Sequence, residues 1–229
     1  MQALVLINLC AREYQDAGFE RILKAPNSNL PNWLDWLNDA QRTIALVRPD
    51  SNAVTQNLTL AAGTRQTLPA GSFRLLGVTR NMGTNGTTVG RALRFATHEE
   101  QDAVNDGWHM ATPANPIREV IYDDKKDPLT FWTRPPAQSG WKIEAIVSQV
   151  PTDVADADND PITISPVYAS PMQSWMLHRA YAMATQAQGN YQKSVNYFQE
   201  FFNLLGIKAR WEMFAGPYSR AQMPQVAAQ

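Results

Sequence analysis

Imidazole and thiol chemistry have few possible seats in this chain. There are three histidines, His98, His109 and His178, and one cysteine, Cys10. His98, with Glu99, Asp102 and His109 nearby, is the nearest approach to a metal constellation. A His-Glu-x-x-His helix needs its two imidazoles one turn apart on a single face with a carboxylate between them, and His98 and His109 are spaced too widely for that. A metal-dependent hydrolase on this pair is therefore a weaker reading than a capped, solvated helix. Asp153, Asp156, Asp158 and Asp160 alternate like the first half of a calcium loop. Counted from Asp156, however, the position that needs glycine is Pro161 and the one that needs a bidentate glutamate is Val167. The run reads as a solvated linker.

The remaining chemistry fails in the same way. Gly83, Gly86 and Gly90 make a glycine-rich loop without the Lys-Ser/Thr of a phosphate cradle, so a hairpin tip is expected. No Gly-x-Ser-x-Gly elbow occurs, and Cys10 lies in an apolar helical stripe rather than beside an activating base. His178 has no acidic neighbour in sequence and reads as a packing residue. The expectation is a protein that is not an enzyme, with no catalytic, cofactor-binding or metal residues and no cofactor. Trp132 and Trp141 suit sugar stacking, which keeps a carbohydrate-binding β-sandwich module of a phage or bacterial protein as the alternative. Core packing is the simpler use of both rings.

The bulk properties agree with a folded scaffold. The 229 residues are 44% hydrophobic and 18% charged, with 20 Lys+Arg against 21 Asp+Glu for a net charge of -1. That excludes a disordered chain and a strongly basic nucleic-acid-binding domain. One cysteine allows no intrachain disulfide. The opening apolar run Ala3–Ala11 is short, has no preceding Lys or Arg, and reads as an amphipathic helix rather than a leader. No stretch approaches the ~20 apolar residues of a membrane span.

Helical signals sit at both ends. Ala3, Ile7, Cys10 and Tyr14 share one face. A second helix is expected from Pro31, with Trp33, Leu37, Ala40, Ile44 and Val47 in one stripe and Arg48-Pro49-Asp50 as its stop. Strands follow at 54–60, 73–80, 119–122, 129–133 and 141–150, with the 82–88 loop returning through Arg91 to Phe95 and Pro135-Pro136 breaking the chain. Thr97-His98-Glu99-Glu100 is a capping box. Ser165-Pro166 and Ser170-Pro171 resemble helix starts, and Gly189-Asn190 a stop. The last helix carries Tyr191, Val195, Phe198, Phe202 and Leu205 in one stripe, and Tyr197, Phe201 and Leu204 in a second. Two stripes demand partners on more than one side.

The expected fold is α+β: a helical bundle from 1–52 and 166–207, an inserted antiparallel β-sandwich or barrel-like domain at 53–165, and an irregular C-terminal docking arm at 208–229. The arm holds Arg210, Trp211, Met213, Phe214, Tyr218 and Arg220 without sustained periodicity. Exposed aromatics of that kind mark contact surfaces.

Four segments together carry a family resemblance. Leu34–Arg42 with Arg48-Pro49-Asp50 resembles the helix followed by Arg-Pro-Asp that opens phage head-to-tail adaptor (connector) proteins, the rings similar to tail tubular protein A of short-tailed phages. Gly63–Pro69 followed by Val78–Asn81 is similar to their first sheet region. Tyr122-Asp123, Asp127-Pro128, Phe131-Trp132, Pro135-Pro136 and Trp141 resemble the second, and the helix pair from Pro166 to Leu205 resembles their closing helices. The resemblance implies a structural virion protein of the phage neck, assembled in the host cytoplasm. It implies a homo-oligomeric ring, a dodecamer, under the portal protein. That ring would bind the tail nozzle or next tail component, let double-stranded DNA pass through its lumen, and contact no membrane. Tyr197, Phe201 and Leu204 and the arm residues are the candidate portal and oligomer contacts.

Overall fold

A computed structural model describes residues 1–25, 32–184 and 188–215, with side chains left aside at 188 and 207–215. The fold is α+β, and it divides into two compact units, Met1–Arg48 with Thr152–Gln229, and Pro49–Pro151.

The first unit is helical. In α1 (Ala3–Glu13) the residues Ala3, Leu6, Ile7, Cys10 and Ala11 make one buried face. Helix α2 (Trp33–Val47) is capped by Asn32, whose side chain accepts a hydrogen bond from the Asp35 N–H at 2.8 Å. The expected start at Pro31 lies outside the described residues. Trp33, Leu37, Ala40 and Ile44 are buried as their spacing predicts, but Val47 at the end of the stripe is exposed. Arg48 leaves the helical region ahead of Pro49, where the ring clashes with a helical predecessor. Residues 152–165, read from the sequence with the β domain, cluster with the helices instead, because Val154, Ala157, Ile162 and Ile164 are buried in the helical core. Asn38 fixes that segment by giving its Nδ2 to the Val154 carbonyl and accepting the Val154 N–H, at 3.0 and 2.9 Å.

Helix α4 (Ala169–Met183) packs on α1, α2 and α5 (Gln188–Ala215). Ser165 caps a 3-10 turn at Pro166–Tyr168 that leads straight into α4. Ser170 is therefore not a cap. It and Pro171 sit in the first turn of α4, where a missing N–H costs nothing. Gly189-Asn190 is not a stop either but part of the first turn of α5, and the Asn190 Nδ2 donates to the Ala184 carbonyl at the end of α4, at 3.1 Å. Nor is 208–215 irregular: α5 runs on through Gly206 to Ala215, at the modest penalty of a glycine inside a helix.

The second unit holds seven strands: β1 (Ala53–Thr59), β2 (Gly63–Thr67), β3 (Ser72–Gly83), β4 (Arg94–Ala96), β5 (Glu119–Ile121), β6 (Thr130–Ala137) and β7 (Lys142–Gln149). One sheet has the order β1-β7-β3 and the other β2-β6-β5-β4. Ile143, Ala145 and Val147 alternate inward from β7 and are fully buried with Leu58, Leu75, Val120 and Phe131 around them. The second sheet is mixed rather than antiparallel, since β4 pairs parallel with β5. The connection between them, which includes α3 (His98–Val104), is long enough to bring the chain back in the same direction. The loop after β3 does return along it, with Asn81 N–H to Arg91 O at 2.9 Å and a bridge from Arg80 to Ala92, before the chain crosses to the other sheet at Arg94. Pro135-Pro136 does not break β6. The β2–β6 register slips between Gly63–Ala137 and Arg65–Trp132, so both prolines fall in a bulge that needs no N–H from them. Strand β2 has no mark in the sequence, since its residues Gly63–Thr67 carry no apolar alternation.

Candidate functional site

The aromatic seam between α4 and α5 arises from simple helical spacing. Trp175 and His178 stand a turn apart on α4, and Ser194, Phe198, Phe201 and Phe202 come round from α5 to meet them. The Trp175 ring lies 4.8 Å from Phe201 and 6.3 Å from Phe198, and Phe198 lies 5.0 Å from both His178 and Phe202. Trp175 is oriented by donating its Nε1 to the Asp39 carboxylate of α2 at 2.8 Å. His178 Nδ1 lies 2.9 Å from Ser194 Oγ, the spacing of a base and a nucleophile. Ser194 is buried, however, and its hydroxyl also reaches the His178 carbonyl at 3.2 Å, while the same Nδ1 lies 3.0 Å from the Ser194 carbonyl and the ring packs against Trp175 and Phe198. The pair fastens two helices and is closed to a substrate.

The structure divides the first stripe of α5, turning its Leu205 inward and half-burying its Val195 while its three aromatics stay open. Phe201 and Leu205 are buried in the unit's own core, with Tyr197 and Leu204 half-buried beside them. Tyr191, Phe198 and Phe202 are 62%, 39% and 43% exposed, and form the open face. Tyr197 donates its hydroxyl to the Glu13 carboxylate of α1 and stacks on Tyr181 at 5.7 Å. Burial, and then that carboxylate, push its phenol well above the usual range. Tyr181 is raised by burial and Glu13, and Tyr14 chiefly by burial. Arg210, Trp211, Met213 and Phe214 occupy the last turns of α5, whose side chains are outside the described set, and Tyr218 and Arg220 lie outside the described residues.

The other candidates are structural where they stand. His98 packs its edge on Trp132 at 4.5 Å, His109 stacks on Trp108 at 3.6 Å, and Asp102 accepts the Trp108 Nε1–H at 2.9 Å. Thr97 and Glu100 make the expected reciprocal cap of α3. Asp158 pairs with Lys24 at 2.6 Å and Asp153 with Arg42. Asp160 accepts from backbone N–H groups of its own loop, and Asp156 accepts from the Asn159 side-chain amide and then the Asp158 N–H, which lower its carboxyl. Among the described residues no group of His, Cys, Asp and Glu could hold a metal, and no helix is long and apolar enough to cross a membrane. Burial pushes the Cys10 thiol far above its ordinary value, with its sulfur 3.8 Å from Met176 Sδ. Trp141 packs on the core of the second unit and gives its Nε1–H to Asn81 Oδ1 at 2.9 Å. The glycine loop is a hairpin tip: Gly86 has φ +83° and accepts the Asn57 amide at 2.9 Å, and an added Cβ would meet Lys142 at 3.1 Å.

Sequence reasoning missed Asn81. It is fully buried, gives its amide to the Arg91 and Ile117 carbonyls, and accepts from the Ile117 N–H and the Trp141 indole. A lone asparagine in a strand carries no pattern that marks it.

The SU10 adaptor protein family model matches residues 1–222. No curated protein matches the chain.

Proposed function

The chain belongs to the SU10 adaptor protein family, and from that premise we propose that it is the head-to-tail adaptor of a phage neck. Copies close into a ring, a dodecamer, beneath the portal protein; the ring extends the channel for double-stranded DNA and presents a platform to the tail nozzle or next tail component. The observation that carries the reading is the family match over almost the whole chain. The open Tyr191–Phe198–Phe202 face supports it, because a helix with one buried stripe and a second aromatic stripe in solvent is suited to a repeated head-to-tail contact. A near-zero net charge suits a wall past which DNA slides, since a basic lumen would grip phosphates. Two separate hydrophobic cores support reading the helices as one bundle and the two sheets as an inserted β-sandwich.

Residues 208–229 are, on this reading, an arm that docks on the portal, the first part continuing α5. Native mass spectrometry with negative-stain imaging tests the ring. A closed particle many-fold heavier than the 25.6 kDa chain is expected, whether alone or on addition of portal. A monomer under both conditions overturns it. A chain ending at Gly206 tests the arm: it should stay folded and lose portal binding, and retained binding overturns the arm.

A further inference from the structure

The two sheets of the second unit end in four edge strands, and three of those edges are blocked. The outer side of β3 is taken by the returning loop, through Asn81 N–H to Arg91 O, Gly90 N–H to Asn81 O and Leu93 N–H to Thr79 O at 2.8–3.1 Å. Strand β4 has three residues, and β2 has five with a bulge and Arg65 in its middle. Strand β1 differs. It runs seven residues in unbroken register with β7, from Ala53 opposite Ser148 to Thr59 opposite Lys142. Edges are guarded by charge, proline, bulges or shortness, and Ala-Val-Thr-Gln-Asn-Leu-Thr has none of these. Antiparallel strands bond each other at every second residue. Leu60 N–H donates to Trp141 O at 2.8 Å in continuation of the same register, so Leu58, Gln56 and Val54 turn their peptide groups toward β7. The N–H and C=O groups of Thr55, Asn57 and Thr59 therefore point out from the edge. All three residues are exposed, and no group among the described residues bonds to their backbone.

We propose that β1 accepts an added strand: an extended, uncharged segment of a different protein pairs with its free edge and enlarges the sheet β1-β7-β3 to four strands. The ladder selects the class. Donors and acceptors alternating along one edge, with successive outward residues about 6.8 Å apart, are matched by another extended polypeptide and by neither a nucleic acid nor a sugar. The side chains set its character. Thr55, Asn57 and Thr59 on one face and Val54, Gln56 and Leu58 on the other offer a charged residue no opposite charge, so β-branched and neutral polar residues fit beside them. A second copy of the chain does not fit, because its β2, β3 and β4 edges are blocked and β1 against β1 is a two-fold contact. A two-fold pair closes on itself and does not continue round a ring. That exclusion rests on the ring reading; the free edge does not.

The test uses the full chain and a fluorescent peptide of alternating Thr and Val flanked by lysines, titrated up to about 1 mM, the weak end of specific association. Saturable binding is expected. Hydrogen exchange followed by mass spectrometry should show that amides of 53–59 which exchange quickly in the free chain become protected. The same peptide with every backbone nitrogen methylated keeps its side chains, loses its donors and should not bind. Thr55→Pro removes an N–H that points away from β7 and leaves the β1–β7 ladder whole. It should weaken binding at least about tenfold with little change in melting temperature. If that variant does not fold, exchange in the unsubstituted chain decides. No binding, no added protection, or equal binding by the methylated peptide or by Thr55→Pro overturns the proposal. So does protection of 53–59 without peptide in a particle that Thr55→Pro splits, which assigns the edge to a second copy. A monomer that binds the peptide supports the added strand and overturns the ring alone.

Discussion

Phe198 and Phe201 are one turn apart on α5 and carry opposite duties. Phe201 is fully buried, so Phe201→Ala should cost about 3–5 kcal/mol in urea unfolding. Phe198 is 39% exposed and meets the Trp175 and His178 rings tilted and Phe202 edge-on, so Phe198→Ala should cost about 0.5–1.5 kcal/mol. A larger loss for Phe198 than for Phe201 would reverse the assignment of the two stripes. The sequence does not separate them, because 191-195-198-202-205 and 197-201-204 both follow helical spacing. What helps to decide is the contact of half-buried His178 with buried Ser194, polar residues that no hydrophobic pattern selects. Asn81 is illegible for the same reason. Asn81→Leu strands the Ile117 N–H and the Trp141 indole and should cost more than about 3 kcal/mol, each unmet buried group accounting for about 1–3. The tyrosines of the first unit make a pH prediction. Tyr14, Tyr181 and Tyr197 are raised in the fold, so above the unfolded value of about 10 the unfolded chain binds fewer protons than the folded one. Their contribution is whole below that pH and drains away as pH rises through the folded values. Denaturant midpoints should fall from pH 10 upward, and Tyr197→Phe should flatten the slope.

At the scale of elements, the long amphipathic stretches and the caps at Thr97 and Ser165 were open to reading from residue types alone, whereas Asn32 was not singled out and Ser170 caps nothing. Asn32 and Thr97 act where side-chain oxygens meet free N–H groups, and Asn32→Ala should cost about 1 kcal/mol by loss of the bond to Asp35 N–H. Circular dichroism melts of that variant measure it. What escaped reading was set by neighbours far off in sequence. Pro135-Pro136 looks like a break until β2 is placed beside it with a slipped register. Gly189-Asn190 looks like an end until Asn190 is seen to serve the helix before it. The free edge of β1 is invisible along the chain because only its pairing with β7 decides which peptide groups point away. The metal-like and calcium-like runs were legible as incomplete, and the structure uses their carboxylates as loop caps, an indole acceptor and ion pairs.

Across the whole molecule, each unit has its own hydrophobic core, and the chain passes between them at Pro49 and Pro151. The polypeptide 49–151 should therefore fold by itself, with a sheet-rich spectrum and one cooperative urea transition; a featureless spectrum would mean that its core needs the helices. Both crossings leave from one end of a single antiparallel pair, since β1 meets β7 with Ala53 opposite Ser148. The Ser148 hydroxyl donates to the Pro49 carbonyl, and the Asn52 amide to the Gln149 carbonyl at 3.0 Å, closing that end. This arrangement gives the β unit a direction of mechanical weakness. Tension that spreads Pro49 from Pro151 loads these clasps first and then opens the β1–β7 ladder rung by rung, like a zip, while β7 stays held by β3 on its other side. Tension that draws both crossings the same way bears on no rung in particular. Stretched by its two stems, this unit would yield gradually, and the first thread to run would be β1.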